Sequence, residues 1–123
     1  MARDSWKDVL NYHDGHNVEW MRGGSEFFEE LENLIKQAEK SIHFQFYLID
    51  PDETGTPILN ALKESARRGV EVNLVVDDFG ADKIREADEI DLQRAGVLFR
   101  RFEPYFSSGK FYVGRRMHHK IVV

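Results

Sequence analysis

The apolar residues of this chain switch repeatedly between a spacing of two and a spacing of about 3.6, and that alternation limits the architecture more than any other feature. Ile42, Phe44, Phe46 and Leu48 alternate with His43, Gln45 and Tyr47, so Ser41–Ile49 reads as a strand. Val70, Val72, Leu74 and Val76 repeat the pattern up to Asp77-Asp78-Phe79-Gly80, and Val97–Phe102 repeats it again. Between these runs the spacing becomes helical. Phe27, Phe28, Leu31, Leu34, Ile35 and Ala38 predict a helix that Ser25 caps and that ends near Lys40. Ile58, Leu59, Leu62 and Ala66 predict a second, with Thr56 as cap, Pro57 at its first position and Gly69 closing it. A thinner stripe predicts a third from about Ala81 to Ala95, with a break near Asp88. Val18, Trp20 and Arg22 predict a short opening strand, and Met117–Val123 a closing one.

Strands alternating with helices require crossover connections. The expected fold is therefore α/β, a mainly parallel sheet with helices on both faces. With 123 residues there is room for one domain, and 41% hydrophobic with 32% charged residues is globular composition. There are no cysteines, which excludes disulfides and thiolate metal sites. No apolar run approaches the ~20 residues that span a bilayer, and Met1-Ala2-Arg3-Asp4-Ser5-Trp6 is too polar for a signal peptide, so a soluble chain is expected.

The net charge of −5 is unevenly spread. Arg94–Lys120 holds seven basic residues and one acid, Glu103, whereas the preceding residues hold ten basic and twenty-one acidic ones. Such a basic tail is either a solvated face or the lining of an anion site. An acidic body argues against a nucleic-acid partner, whose binding relies on neutralising phosphates.

Within that tail His118-His119-Lys120 is the strongest chemical constellation. On a strand, residues two apart share a side, so His118 and Lys120 are expected to project together, with His119, Ile121 and Val123 facing away. A neutral imidazole beside an ammonium suits attack on a phosphodiester: the ring is the nucleophile and the ammonium holds the phosphate oxygens. By itself the three-residue pattern is common, and polar residues on a half-exposed strand explain it equally well. Asp77-Asp78 with His118-His119 offers metal-ligand chemistry. Aspartates are, however, frequent at the carboxyl edge of parallel sheets, and neither a metal nor another cofactor is expected.

In register along the chain, these segments resemble the first half of a phospholipase D superfamily lobe. The resemblance runs through Glu19-Trp20-Met21-Arg22-Gly23-Gly24, the Ser41–Ile49 strand, the acidic turn Asp52-Glu53-Thr54-Gly55 and Arg68-Gly69-Val70-Glu71-Val72. It continues through Val75-Val76-Asp77-Asp78-Phe79-Gly80 and Ala95-Gly96-Val97 to Arg115-Arg116-Met117-His118-His119-Lys120. The acidic turn, the Asp-x-Phe-Gly and the aromatic loop (Tyr105, Phe106, Phe111, Tyr112) are most similar to cardiolipin synthases. The family motif, His-x-Lys followed by four residues and Asp, is left incomplete at Val123. The resemblance therefore implies residues 1–16 as an extension and 17–123 as the start of a domain that stops inside its first motif.

The resemblance further implies that His118 and Lys120 are catalytic, as nucleophile or general acid and as phosphate ligand. Arg115, Arg116 and Tyr47 become candidate substrate-binding residues, and packing or solvation is the alternative for each. It implies a phosphatidyltransferase, with a phosphatidylglycerol-like phospholipid as substrate and a phosphohistidine intermediate. A hydrolase or endonuclease of the superfamily, or a non-catalytic interaction domain, remain the alternatives. The implied partners are the rest of the lobe, a second His-x-Lys lobe and a membrane surface, at the cytoplasmic face of a bacterial inner membrane. The chain by itself is expected to be inactive and to self-associate.

Overall fold

The computed structural model describes residues 14–102, 106–107, 110–111 and 116–123. Its elements are α1 (Ser25–Gln37), β1 (Ser41–Phe46), α2 (Gly55–Arg67), β2 (Glu71–Asp77), α3 (Glu86–Arg94), β3 (Leu98–Phe102), β4 (Phe106–Ser107), β5 (Lys110–Phe111) and β6 (Lys120–Val122). The main sheet has the order β3-β2-β1-β6, and β4 and β5 form a separate antiparallel pair. β1 and β2 pair in parallel from Ser41 opposite Glu71 to Phe46 opposite Val76, as the resemblance requires, and β3 joins β2 in parallel. β6 runs antiparallel to β1, placing Val122 opposite Phe44 and Lys120 opposite Phe46. The sheet is thus mainly parallel, with one reversed edge.

One contiguous core forms where the apolar side of each strand meets the helices. Ile42, Phe44 and Phe46 of β1 and Val72, Leu74 and Val76 of β2 pack with Leu31 and Ile35 of α1, Ile58 and Leu62 of α2, and Leu92 of α3. Helices were expected on both faces, but all three described helices lie on this one. On the opposite face Ser41, His43 and Glu71 are exposed and Gln45, Asn73 and Val75 only half-buried. Side chains alternate along a strand, so a sheet carrying its apolar residues on one side covers only that side.

The expected strand at Val18–Arg22 does not form. Trp20 is 94% and Val18 85% exposed, and among the described residues no strand pairs with their backbone. The expected strand Met117–Val123 is regular only over Lys120–Val122. The start of the expected domain at residue 17 falls in irregular chain, and residues 1–13 of the extension lie outside the described residues.

Candidate functional site

The carboxyl ends of parallel strands are where an α/β sheet presents its loops and binds ligands. Here β1 delivers Tyr47 and β2 delivers Asp77, and the chain that returns as β6 passes both. Tyr47 donates its backbone N–H to the carbonyl of His119 at 2.9 Å, which carries the pairing one step beyond β6. The Tyr47 ring lies 4.4 Å from that of His118, centroid to centroid, inclined by 59°. The candidate residue Tyr47 is thus brought against the candidate residue His118, whose side chain is otherwise open to solvent.

Lys120, opposite Phe46, follows the strand alternation and reaches the helix-covered side of the sheet. There it edges a cavity of about 240 Å³ walled by Phe27, Phe28, Leu31, Phe44, Phe46 and Ile58. His118 does not line that cavity. Strict alternation through the motif therefore holds from Lys120 onward, where Val122 packs against the core while Ile121 and Val123 face outward. Residues 116–119 are irregular, and alternation does not govern His118.

Beneath the motif is Asp77, fully buried at 0% exposure. Its Oδ1 accepts the backbone N–H groups of Phe79 at 3.0 Å and Gly80 at 3.2 Å. The same oxygen takes Nη1 of Arg116 at 3.2 Å, and Oδ2 accepts the backbone N–H of Met117 at 2.8 Å. Sequence reasoning placed Asp77 at a strand end and weighed it only as a metal ligand. Its partners on the returning chain lie far away in sequence, and no spacing pattern could reveal them. Arg116, a candidate for the substrate, instead directs its guanidinium to this carboxylate. Arg115 lies outside the described residues, as do Tyr105 and Tyr112 of the aromatic loop.

The basic tail divides in the same way. Arg101 is half-buried, donating to Asp78 Oδ1 at 3.2 Å, to Glu89, and to the carbonyls of Ala81 at 3.2 Å and Ile84 at 2.7 Å. It ties β3 to the turn after β2, whereas Arg94 and Arg100 are exposed. Among the described residues no group of three or more histidines and carboxylates could hold a metal ion, and no helix is long and apolar enough to cross a membrane.

Comparison with known proteins bears on the whole of this region. A family model described as "Cardiolipin synthase, PLD-like domain" matches residues 31–123. A cardiolipin synthase of Clostridium perfringens (strain 13 / Type A) is 36% identical over 117 residues, covering 94% of this chain and 24% of that protein. Cardiolipin synthase B of Salmonella typhimurium is 30% identical over 114 residues, 91% of this chain and 28% of its own length. Cardiolipin synthase 1 of Bacillus cereus is 32% identical over 111 residues, 89% of this chain and 22% of its own length. The chain spans about a quarter of the curated relatives it matches.

Proposed function

The chain belongs to the phospholipase D-like domain family of cardiolipin synthases, and from that premise we propose that it is the part of a phosphatidyltransferase that supplies one His-x-Lys pair. The observation that carries this reading is the placement of His118 and Lys120 beside the carboxyl end of β1, within the stretch the family model covers. The proposed domain begins near residue 17 and requires a second His-x-Lys pair from elsewhere in the full-length protein.

In the proposed reaction an imidazole nitrogen attacks the phosphorus of a phosphatidylglycerol-like phospholipid. A P–N bond forms as the bond to the headgroup oxygen breaks, and the leaving alkoxide takes a proton from the histidine of the other pair. The deprotonated histidine then accepts the proton of an incoming alcohol, whose oxygen displaces the phosphohistidine and restores the free imidazole. His118 is either the nucleophile or the proton carrier of this cycle. Lys120 holds the non-bridging oxygens, where negative charge accumulates. Its place at the mouth of an apolar cavity suits a substrate that joins a phosphate to hydrocarbon. Such a substrate puts the reaction at a membrane surface, proposed to be the cytoplasmic face of a bacterial inner membrane.

The test is made in the full-length protein that carries this segment. His118→Ala is expected to reduce phosphatidyl transfer by about 10³-fold or more, since the group supplies covalent or acid–base catalysis. His119→Ala is expected to cost far less, because the carbonyl that pairs with Tyr47 is kept in the variant and the side chain that is lost is exposed. Equal losses from the two, or a transfer rate that a chelator abolishes, would overturn the reading. The 123-residue chain alone is expected to show no transfer or hydrolysis.

A further inference from the structure

His118 lies outside the regular ladder of the sheet, yet it is held at both shoulders. On one side the His119 carbonyl accepts from Tyr47 N–H, and on the other the Met117 N–H is taken by Asp77. The second anchor spans 40 residues of sequence. It is also costly to build. Burying a carboxylate is unfavourable by several kcal/mol unless donors saturate it. Here two donors come from the turn after β2, Phe79 and Gly80, and two from the chain immediately before His118, Arg116 and Met117. Both turn donors fall on Oδ1, so Oδ2 takes its donor from the returning chain, at Met117, and the guanidinium of Arg116 faces the buried charge.

We infer that Asp77 is a positioning residue for His118. It ties the Arg116 guanidinium and the Met117 backbone to the carboxyl end of β2, so that the imidazole is held against Tyr47 at the place where a phosphodiester is to be met. The inference rests on the proposed role of His118. The turn takes part in the same fixture, since Gly80 approaches Tyr47 so closely that a Cβ on it would stand 2.1 Å from the Tyr47 carbonyl oxygen. Asp77, Gly80, Tyr47 and His118 therefore form a continuous series of contacts.

The discriminating variant is Asp77→Asn in the full-length protein. An amide offers one acceptor and one donor group where four N–H donors converge. It can serve the turn or the Met117 N–H but not both. A displacement of the order of an ångström at a reacting group costs roughly 10²-fold in rate, so kcat is expected to fall by about that factor. KM is expected to stay within about threefold, because Lys120 is held separately by its pairing with Phe46. Ser65→Ala is the stability control: it removes another buried hydrogen bond, to the Ile35 carbonyl at 2.9 Å, far from the motif. Assayed well below both unfolding midpoints, it is expected to leave kcat unchanged.

If Asp77→Asn does not fold, Asp77→Glu keeps the charge with a longer reach and is expected to lower kcat while remaining folded. A kcat within twofold of wild type in whichever of the two is folded overturns the inference, as does an equal loss in Ser65→Ala. His118→Ala separates the levels. Turnover surviving in that variant removes the proposed role of His118 itself, whereas its abolition alongside an active Asp77→Asn removes only the positioning.

Discussion

Gly80 shows how much of this site is decided by single residues. Its approach to the Tyr47 carbonyl leaves no space for a side chain, and Gly55 is pressed in the same way against the carbonyl oxygen of Asp50, 1.8 Å from where its Cβ would be. Gly80→Ala is expected to destabilise the chain by about 1–3 kcal/mol, the usual cost of overpacking, measured as a shift in denaturant midpoint. A change below about 0.5 kcal/mol, the range of ordinary surface substitutions, would mean that the turn yields freely. Asp77-x-Phe79-Gly80 stood out in the sequence as the end of a strand, legible from Val72, Leu74 and Val76. Its hold on Met117 was not, because a hydrogen bond from a side chain to a distant backbone amide leaves no periodic trace. The ion pair of Arg116 with Asp77 was hidden for the same reason: the charge of Arg116 is visible in the sequence, but the buried carboxylate facing it is not.

Element interiors followed their apolar spacing, whereas their ends followed side chains that spacing does not include. The helix expected to start at Pro57, with Thr56 as cap, begins at Gly55, because Asp52 Oδ1 accepts the N–H groups of Thr54 at 3.0 Å and Gly55 at 2.8 Å. α1 likewise takes Gly24, not Ser25, as its cap. The third helix starts at Glu86 where a start near Ala81 was expected. Arg101 occupies the carbonyls of Ala81 and Ile84, which a longer helix would need for its own ladder, and Asp88 Oδ2 accepts the Arg85 N–H at 2.9 Å. Arg101→Ala, which strips two carboxylates and two carbonyls of a partner, is expected to cost roughly 2–3 kcal/mol in thermal or denaturant unfolding. The cap on α2 predicts a pH dependence. The amides of Gly55 and Thr54 hold the Asp52 carboxyl below its ordinary value of 3.8. A lowered folded value contributes stability that is complete above the unfolded value and is lost as pH falls through the folded one. Asp52→Asn is therefore expected to be less stable than wild type at neutral pH, with the difference closing below about pH 4. A difference that persists at lower pH would show that the charge is not what stabilises the turn.

At the scale of the whole molecule, the βα alternation made an α/β fold with parallel β1, β2 and β3 legible from the sequence. The order β3-β2-β1-β6 and the reversal of β6 were not, since direction depends on how the segment between β3 and β6 returns and no apolar spacing records that. Nor did the pattern show that α1, α2 and α3 would share one face. Among the described residues the outcome is a sheet with one face free of helices and, at β6, an edge strand whose Ile121 and adjoining Val123 are 49% and 79% exposed. Edges of this kind pair with other chains. The 123-residue chain is expected to associate, with an apparent mass in light scattering that rises with concentration. A constant monomer mass across the series would show that the edge is protected.

The reversal of β6 also has a consequence in time. The partners in β1 and β2 lie 30 residues apart in sequence and Met117 and Asp77 lie 40 apart, whereas the pairing of Val122 with Phe44 spans 78. Loop-closure entropy delays such contacts relative to local ones. The order should persist in the native state. Amide exchange at Met117 and Val123 is expected to be faster than at Leu74 or Val76, through opening of the last strand alone. The strand that carries His118 and Lys120 would then be the last to arrive and the first to leave, and in the full-length protein the proposed activity would be lost before the fold on warming.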